Sequence, residues 1–267
     1  MINVGVDGIA GRMGQRLAHL ILESNDLTLV SARERPEHAC LGRDVGSVIG
    51  TTEIGVSVIA KPKDFVDPVD VVVAFTAPEA TVEIANVCGR SSTALVAGTT
   101  GLSEAQSLQL KDNVSEIPCV FAPNFSTAMN VLFKLVEQAA NILGDEYDIE
   151  VVEAHHRYKA DAPSGTALRL GESAAKGLDR KLSEVAVHGR EGAVGERSQK
   201  EIGMHAVRMG DLAGDHSVYF GAPGEYLELK HQATSRDAFA LGALRAVRFA
   251  ASAPNGIYDM GDVLGLT

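Results

Sequence analysis

Three glycines at every third position, Gly8-Ile-Ala-Gly11-Arg-Met-Gly14, constrain this chain more than any other stretch. Ahead of them Ile2, Val4 and Val6 alternate with smaller or polar residues, which is the period of a strand. Behind them Met13, Leu17, Leu20 and Ile21 recur at helical spacing. Strand, glycine turn and helix form the context of a dinucleotide-binding turn: the glycines allow a tight bend, close approach of backbone to a pyrophosphate, and packing of helix on strand. The spacing varies the common G-x-G-x-x-G, and glycine alone is a weak signal because all turns use it.

The next strands raise its weight. Leu27 to Arg33 reads as extended and ends at Glu34, about 20 residues past the turn, where an acid grips the ribose hydroxyls of NAD. Arg35 follows and suits a 2′-phosphate, so the pair is compatible with NADH or NADPH. Val69 to Phe75 is almost wholly apolar, as in a sheet covered on both faces. It ends in Thr76-Ala-Pro78, with a helix expected from about Glu79 to Val87. Thr93 to Ala97 ends in Gly98-Thr99-Thr100-Gly101, and Pro118 to Phe121 ends in Ala122-Pro123-Asn124-Phe125-Ser126. Ligands of open parallel sheets bind at such carboxyl ends. The fold class is therefore α/β, a Rossmann-type dinucleotide-binding domain.

The second half has another rhythm. Thr127 to Leu143 is an amphipathic helix, capped by Ser126 or Thr127, with Met129, Leu132, Phe133, Val136 and Ile142 expected in a core. Tyr147 to Glu153 reads as a strand. It leads into His155-His156-Arg157-Tyr158-Lys159 and then Pro163-Ser164-Gly165-Thr166, which opens a helix continuing from Leu168 to Leu178. A helix start favours an anion. Cations beside one, in a chain of net charge −11, indicate a built site for a small carboxylate or phosphate compound. Gly189 to Gln199 is glycine- and charge-rich and reads as a mobile loop. Glu201 to Met209, Ser217 to Phe220 and Tyr226 to His231 read as strands, the last two joined by Gly221-Ala-Pro-Gly224. This makes a C-terminal α+β domain on an open mixed sheet with mainly hairpin pairing, which needs covering, for instance by another subunit. Ser235 to Ala251 reads as a helix returning to the first domain. The expected domains are 1–126 with 237–267, and 127–236.

The negative charge excludes non-specific nucleic-acid binding. Cys40, Cys88 and Cys119 lack C-x-x-C spacing, so neither a disulfide framework nor zinc is indicated. No apolar run spans a membrane, and a strand at Ile2 leaves no room for a targeting peptide, so a cytoplasmic protein is expected. His19, His38, His188, His205, His216 and His231 show no paired motif and read as structural or surface histidines; no metal spacing exists. A nicotinamide hydride donor with a cationic pocket implies reduction of a C=O, C=N or conjugated C=C bearing carboxylates. The proton could come from His155 or Lys159, with His156, Ser164, Gly165 and Thr166 on the carboxylate oxygens. Another Rossmann-type amino-acid-pathway dehydrogenase, or a non-catalytic NAD(P)-sensing protein, fits the glycine turn as well.

From Glu150 to Ala167 the chain meets every fixed position of E-I/V-x-E-x-H-x-x-x-K-x-D-x-P-S-G-T-A and so resembles the dihydrodipicolinate reductases. Gly8 to Gly14, Phe75-Thr76, Gly98 to Gly101, Asn124 to Ser126 and Ser235-Arg236 are similar to that family too. The resemblance implies NAD(P)H-dependent reduction giving tetrahydrodipicolinate, a cyclic dicarboxylate of lysine and diaminopimelate biosynthesis, by a homotetramer built through C-terminal sheets. It implies His155 as proton donor with Lys159 as catalytic partner, and His156 with Gly165 and Thr166 as the carboxylate grip. It implies cofactor contacts at Gly8, Ile9, Ala10, Gly11, Arg12, Met13, Glu34, Arg35, Gly98, Thr99, Thr100, Ala122, Pro123, Asn124 and Phe125. Two departures stand out: Asp7, where a small residue is more usual, and Tyr158.

Overall fold

A computed structural model describes residues 1–266. The chain forms two compact units: Met1–Thr127 with the chain from Arg236 onward, and Ala128–Ser235.

The first unit is a parallel sheet with helices on both faces. Its strands are β1 (Ile2–Asp7), β2 (Leu27–Arg33), β3 (Val58–Ile59), β4 (Val71–Ala74), β5 (Ala94–Ala97), β6 (Pro118–Phe121) and β12 (Gly256–Tyr258), in the order β12-β6-β5-β4-β1-β2-β3. The order reverses between β4 and β1, the switch point where open sheets take ligands. The long helices are α1 (Arg12–Leu22), α4 (Pro78–Ser91), α5 (Glu104–Asn113) and α9 (Asp237–Ala250). Short helices α2 (Val45–Ile49), α3 (Pro62–Val66) and α10 (Met260–Leu264) complete it. β4 is buried on both faces, which is why it reads as a continuous apolar run. Val71 and Val73 join the core under α1 and α9, whereas Val72 and Ala74 join the one under α4 and α5. Each fully buried Leu, Val or Phe contributes about 1.5–3 kcal/mol. α4 runs past the expected Val87 to Ser91 and stops where Ser92 turns left-handed, φ 54°. α5 was open to detection through its reciprocal cap, Ser103 with Gln106. Gly8 has φ +83°, and a Cβ on Gly14 would lie 2.1 Å from the Gly8 carbonyl oxygen, so both need glycine.

The second unit holds α6 (Thr127–Leu143), β7 (Asp148–His155), α7 (Gly165–Gly177), α8 (Leu182–Val185), β8 (Ala186–His188), β9 (Ile202–Arg208), β10 (Asp215–Ala222) and β11 (Glu225–Gln232). The sheet order is β11-β10-β7-β9-β8. Hairpin pairing holds for β10 with β11, and β7 with β10 is antiparallel, but β7–β9 and β8–β9 are parallel. The expected dominance of hairpins is thus corrected: α7 acts as a crossover, which parallel strands require. Ile149 and Val151 of β7 pack with Met129, Phe133 and Val136 of α6 and Leu170 of α7. Ile142 is not in this core but 79% exposed, because it lies well round α6 from the 129-133-136-140 stripe. The opposite sheet face carries Glu150 and Val152 alongside His205, Tyr219 and Ser217. There Arg190, Arg197 and His205 converge on Glu150 at 2.7–3.1 Å. Burial opposes ionisation of Glu150, but these donors bring its carboxyl down to about 2. The loop expected to be mobile is thereby tied to the sheet through both of its arginines.

Candidate active site

In the first unit β1 ends at Asp7 and the chain turns through Gly8. The N–H groups of Gly8 and Ile9 donate to the Arg33 carbonyl at 2.9 and 3.1 Å, fixing the turn against β2. Gly11 is the N-cap of α1 and brings no side chain to it, so the helix start stays approachable by an anion. Glu34 leaves β2 and reaches the turn: its carboxylate accepts the Ala10 and Arg35 N–H groups, each at 3.0 Å. Between them lies a cleft of about 680 Å³, walled by the turn, the end of β2, and Phe75 to Ala80 after β4. A glycine turn that a Cβ would fill, over a cleft this size, fits a dinucleotide.

The other expected cofactor residues cap β5 and β6. Thr99 is buried and its hydroxyl lies 2.5 Å from that of Thr81, which lies 2.9 Å from that of Thr76. This hydroxyl chain locks the ends of β4 and β5 together. Ile9, Ala122 and Phe125 have core side chains, so only their backbone can face a ligand. The Phe125 ring meets Phe75 edge-on at 5.4 Å. Arg12, Thr100 and Pro123 are exposed; Met13, Gly98 and Asn124 are half-buried. Asn124 Oδ1 accepts the Ser126 N–H at 2.9 Å and shapes the turn.

The second unit carries the titratable centre. His155 ends β7 on its inward face, 8% exposed, and its Nδ1 lies 2.6 Å from Oε2 of the fully buried Glu153. Arg208 grips the same carboxylate with both terminal nitrogens, at 2.8 and 2.9 Å, and the Ser164 N–H donates to it at 3.0 Å. Burial alone would raise the Glu153 carboxyl; these donors outweigh it and hold it below the usual range. The His216 ring stands edge-on to His155 at 5.1 Å. Burial, then the neighbouring His155, lower His216 to about 4, so it is neutral at pH 7 and its Nε2 can accept from the Ser164 hydroxyl, 3.2 Å away. His216 was expected to be an ordinary histidine; it belongs to this centre, and no local motif could reveal it because β10 arrives from far along the chain.

Ser164 caps α7, its oxygen accepting the Ala167 N–H at 3.1 Å. Gly165 and Thr166 therefore form the first turn of a 13-residue helix, with space around Gly165. The loop from His156 lies on the segment after β9: the His156 and Arg157 N–H groups donate to the carbonyls of Leu212 and Gly210. Nδ1 of His156 is buried without a partner among the described residues, a polar ring nitrogen available to a ligand. Lys159 is not bonded to His155; its ammonium grips Asp161 at 2.8 and 2.9 Å. Tyr158 is 84% exposed. Sequence reasoning missed Arg208, together with Arg33 and Glu83 of the cleft wall; each acts through a partner distant in sequence.

A glycine-turn sheet in one unit and a buried histidine–carboxylate centre in the other define a nicotinamide-dependent oxidoreductase. The model for the N-terminus of dihydrodipicolinate reductase matches residues 2–125, and that for its C-terminus matches 128–264. A 4-hydroxy-tetrahydrodipicolinate reductase of Desulfotalea psychrophila is 47% identical over 266 residues, 100% of this chain and 99% of that protein. One from Anaeromyxobacter sp. is also 47% identical, over 100% of this chain and 98% of its own. A dipicolinate-bound dihydrodipicolinate reductase from Paenisporosarcina sp. TG-14 superposes with a TM-score of 0.76 at 25% identity, over 97% of each chain. The chain belongs to the dihydrodipicolinate reductase family.

Proposed function

We propose that the chain reduces 4-hydroxy-tetrahydrodipicolinate to tetrahydrodipicolinate in lysine and diaminopimelate biosynthesis, with NADH or NADPH as reductant. The observation that carries this is the joint placement of His155, Glu153 and the start of α7 by one 18-residue run, Glu150 to Ala167. When bound, the reduced nicotinamide supplies a hydride. His155 supplies the proton: with Nδ1 donating to Glu153, its Nε2–H is the one free to leave. The substrate's 4-hydroxyl group leaves as water, so hydride and proton go in and one water comes out. His156 and the Ser164–Gly165–Thr166 helix start hold the carboxylates, and Lys159, once drawn from Asp161, is the catalytic partner of His155.

The domain of residues 1–126 with 237–267 holds the dinucleotide, through the backbone of Gly8 to Met13, through Glu34 and Arg35 at the ribose, and through Gly98 to Thr100 and Ala122 to Phe125. The domain of 127–236 holds substrate and builds a homotetramer, supported by exposed Tyr226 and Val207 on its sheet, at 70% and 40%. A cytoplasmic setting is supported by three free, buried cysteines. Among the described residues no helix is long and apolar enough to cross a membrane. The test is nicotinamide oxidation with the condensation product of pyruvate and aspartate semialdehyde. Rapid turnover supports the assignment; cofactor binding without turnover overturns it in favour of another dehydrogenase or a sensor.

A further inference from the structure

Arg33 closes β2 with its side chain only 5% exposed. Its guanidinium is committed in three directions. Nε donates to the Ala60 carbonyl at 3.2 Å, one terminal nitrogen donates to both Asp7 oxygens at 3.2 and 3.3 Å, and the other donates to Glu83 of α4. Asp7 is buried, whereas the Glu83 side chain is 52% exposed. All three line the cleft beside the glycine turn. An arginine held on three sides cannot turn its fork toward a ligand phosphate. The other charged groups of the wall are Glu34, Glu79 and Arg35, with His38 nearby. Four carboxyl groups thus face two guanidinium groups, and the wall stays net negative even with Asp7 partly protonated.

We infer that Asp7 and Glu83, by holding Arg33 away from the ligand, make this cleft selective for NADH over NADPH. The inference rests on the cleft being the adenosine end of the cofactor site proposed above. Free ribose hydroxyls can donate to Glu34. A 2′-phosphate carries about −1.5 to −2 charges at pH 7 if it titrates as phosphate esters do. It would meet Glu34 with only Arg35 to offset it, an arrangement that rejects one ligand by repulsion.

The experiment titrates the protein with NADH and with NADPH by nicotinamide fluorescence, and measures kcat/KM with each. Because Glu83 is half-exposed, Glu83→Gln keeps the fold and releases one side of Arg33. Wild type should bind NADH at least about tenfold more tightly than NADPH, and Glu83→Gln should shrink that ratio by about tenfold. Adding Arg33→Gln to Glu83→Gln should remove most of the gain for NADPH, which separates release of Arg33 from loss of one negative charge. A wild type that prefers NADPH, or a ratio unchanged by Glu83→Gln while both cofactors bind, overturns the inference alone. Failure of wild type to bind either dinucleotide overturns it together with the cofactor site.

Discussion

Nδ1 of His155 lies 2.6 Å from Oε2 of Glu153, and that carboxylate is wholly buried between the histidine and Arg208. The contact fixes which imidazole nitrogen faces outward. Glu153→Gln keeps the shape but lets the amide present either end to the ring and leaves Arg208 facing a neutral group. We expect kcat to fall by roughly 10²-fold or more, as for other carboxylates that orient a catalytic histidine. The Kd for NADH should not change. Stopped-flow or steady-state rates with a parallel cofactor titration check both halves.

Thr166 sits in the first turn of α7, where a side-chain hydroxyl adds to the backbone donors. Thr166→Val should raise KM for the dicarboxylate by about 10–100-fold, the loss of one hydrogen bond to a charged group, while kcat changes little. A fall in kcat at unchanged KM would place Thr166 elsewhere in the reaction.

Burial pushes the Asp7 carboxyl up to about 7, against the pull of Arg33 beside it. In the unfolded chain the same carboxyl ionises near 3.8. Between those values the folded state binds more protons, so this contribution to stability is complete at low pH and is lost as pH rises through about 7. Urea unfolding at pH 5 and pH 8 should show wild type losing on the order of 2–4 kcal/mol more than Asp7→Asn over that interval. Equal pH dependence of the two proteins would show that Asp7 ionises normally.

Gly14 is fixed by sterics, not by flexibility. Gly14→Ala would place a methyl against the Gly8 carbonyl, and α1 or the turn must move. Destabilisation of about 1–3 kcal/mol and loss of NADH binding should appear together in urea unfolding and fluorescence titration. Retained NADH affinity would mean that the turn does not carry the dinucleotide.

Local periodicity made most of this fold legible. β1, β2 and β6 read correctly because each alternates or runs apolar between turn residues, and Pro163 to Thr166 read correctly as a helix start, where Ser164 is the cap. Strands of two or three residues, β3, β8 and β12, carry too few positions to show a period. The parallel entry of β9 beside β7 was hidden because register is set by packing, not by the strand itself. The site was half legible. His155, Lys159 and the helix start lie in one run, whereas Arg208, His216, Arg33 and Glu83 reach their partners across 26 to 55 positions, visible only once the sheets are assembled.

Whether His155 delivers the proton is decided by kcat of His155→Ala measured beside its NADH affinity. A fall in kcat of about 10²–10⁴-fold with NADH affinity retained is the predicted result. An enzyme that turns over at the wild-type rate without His155 would contradict it.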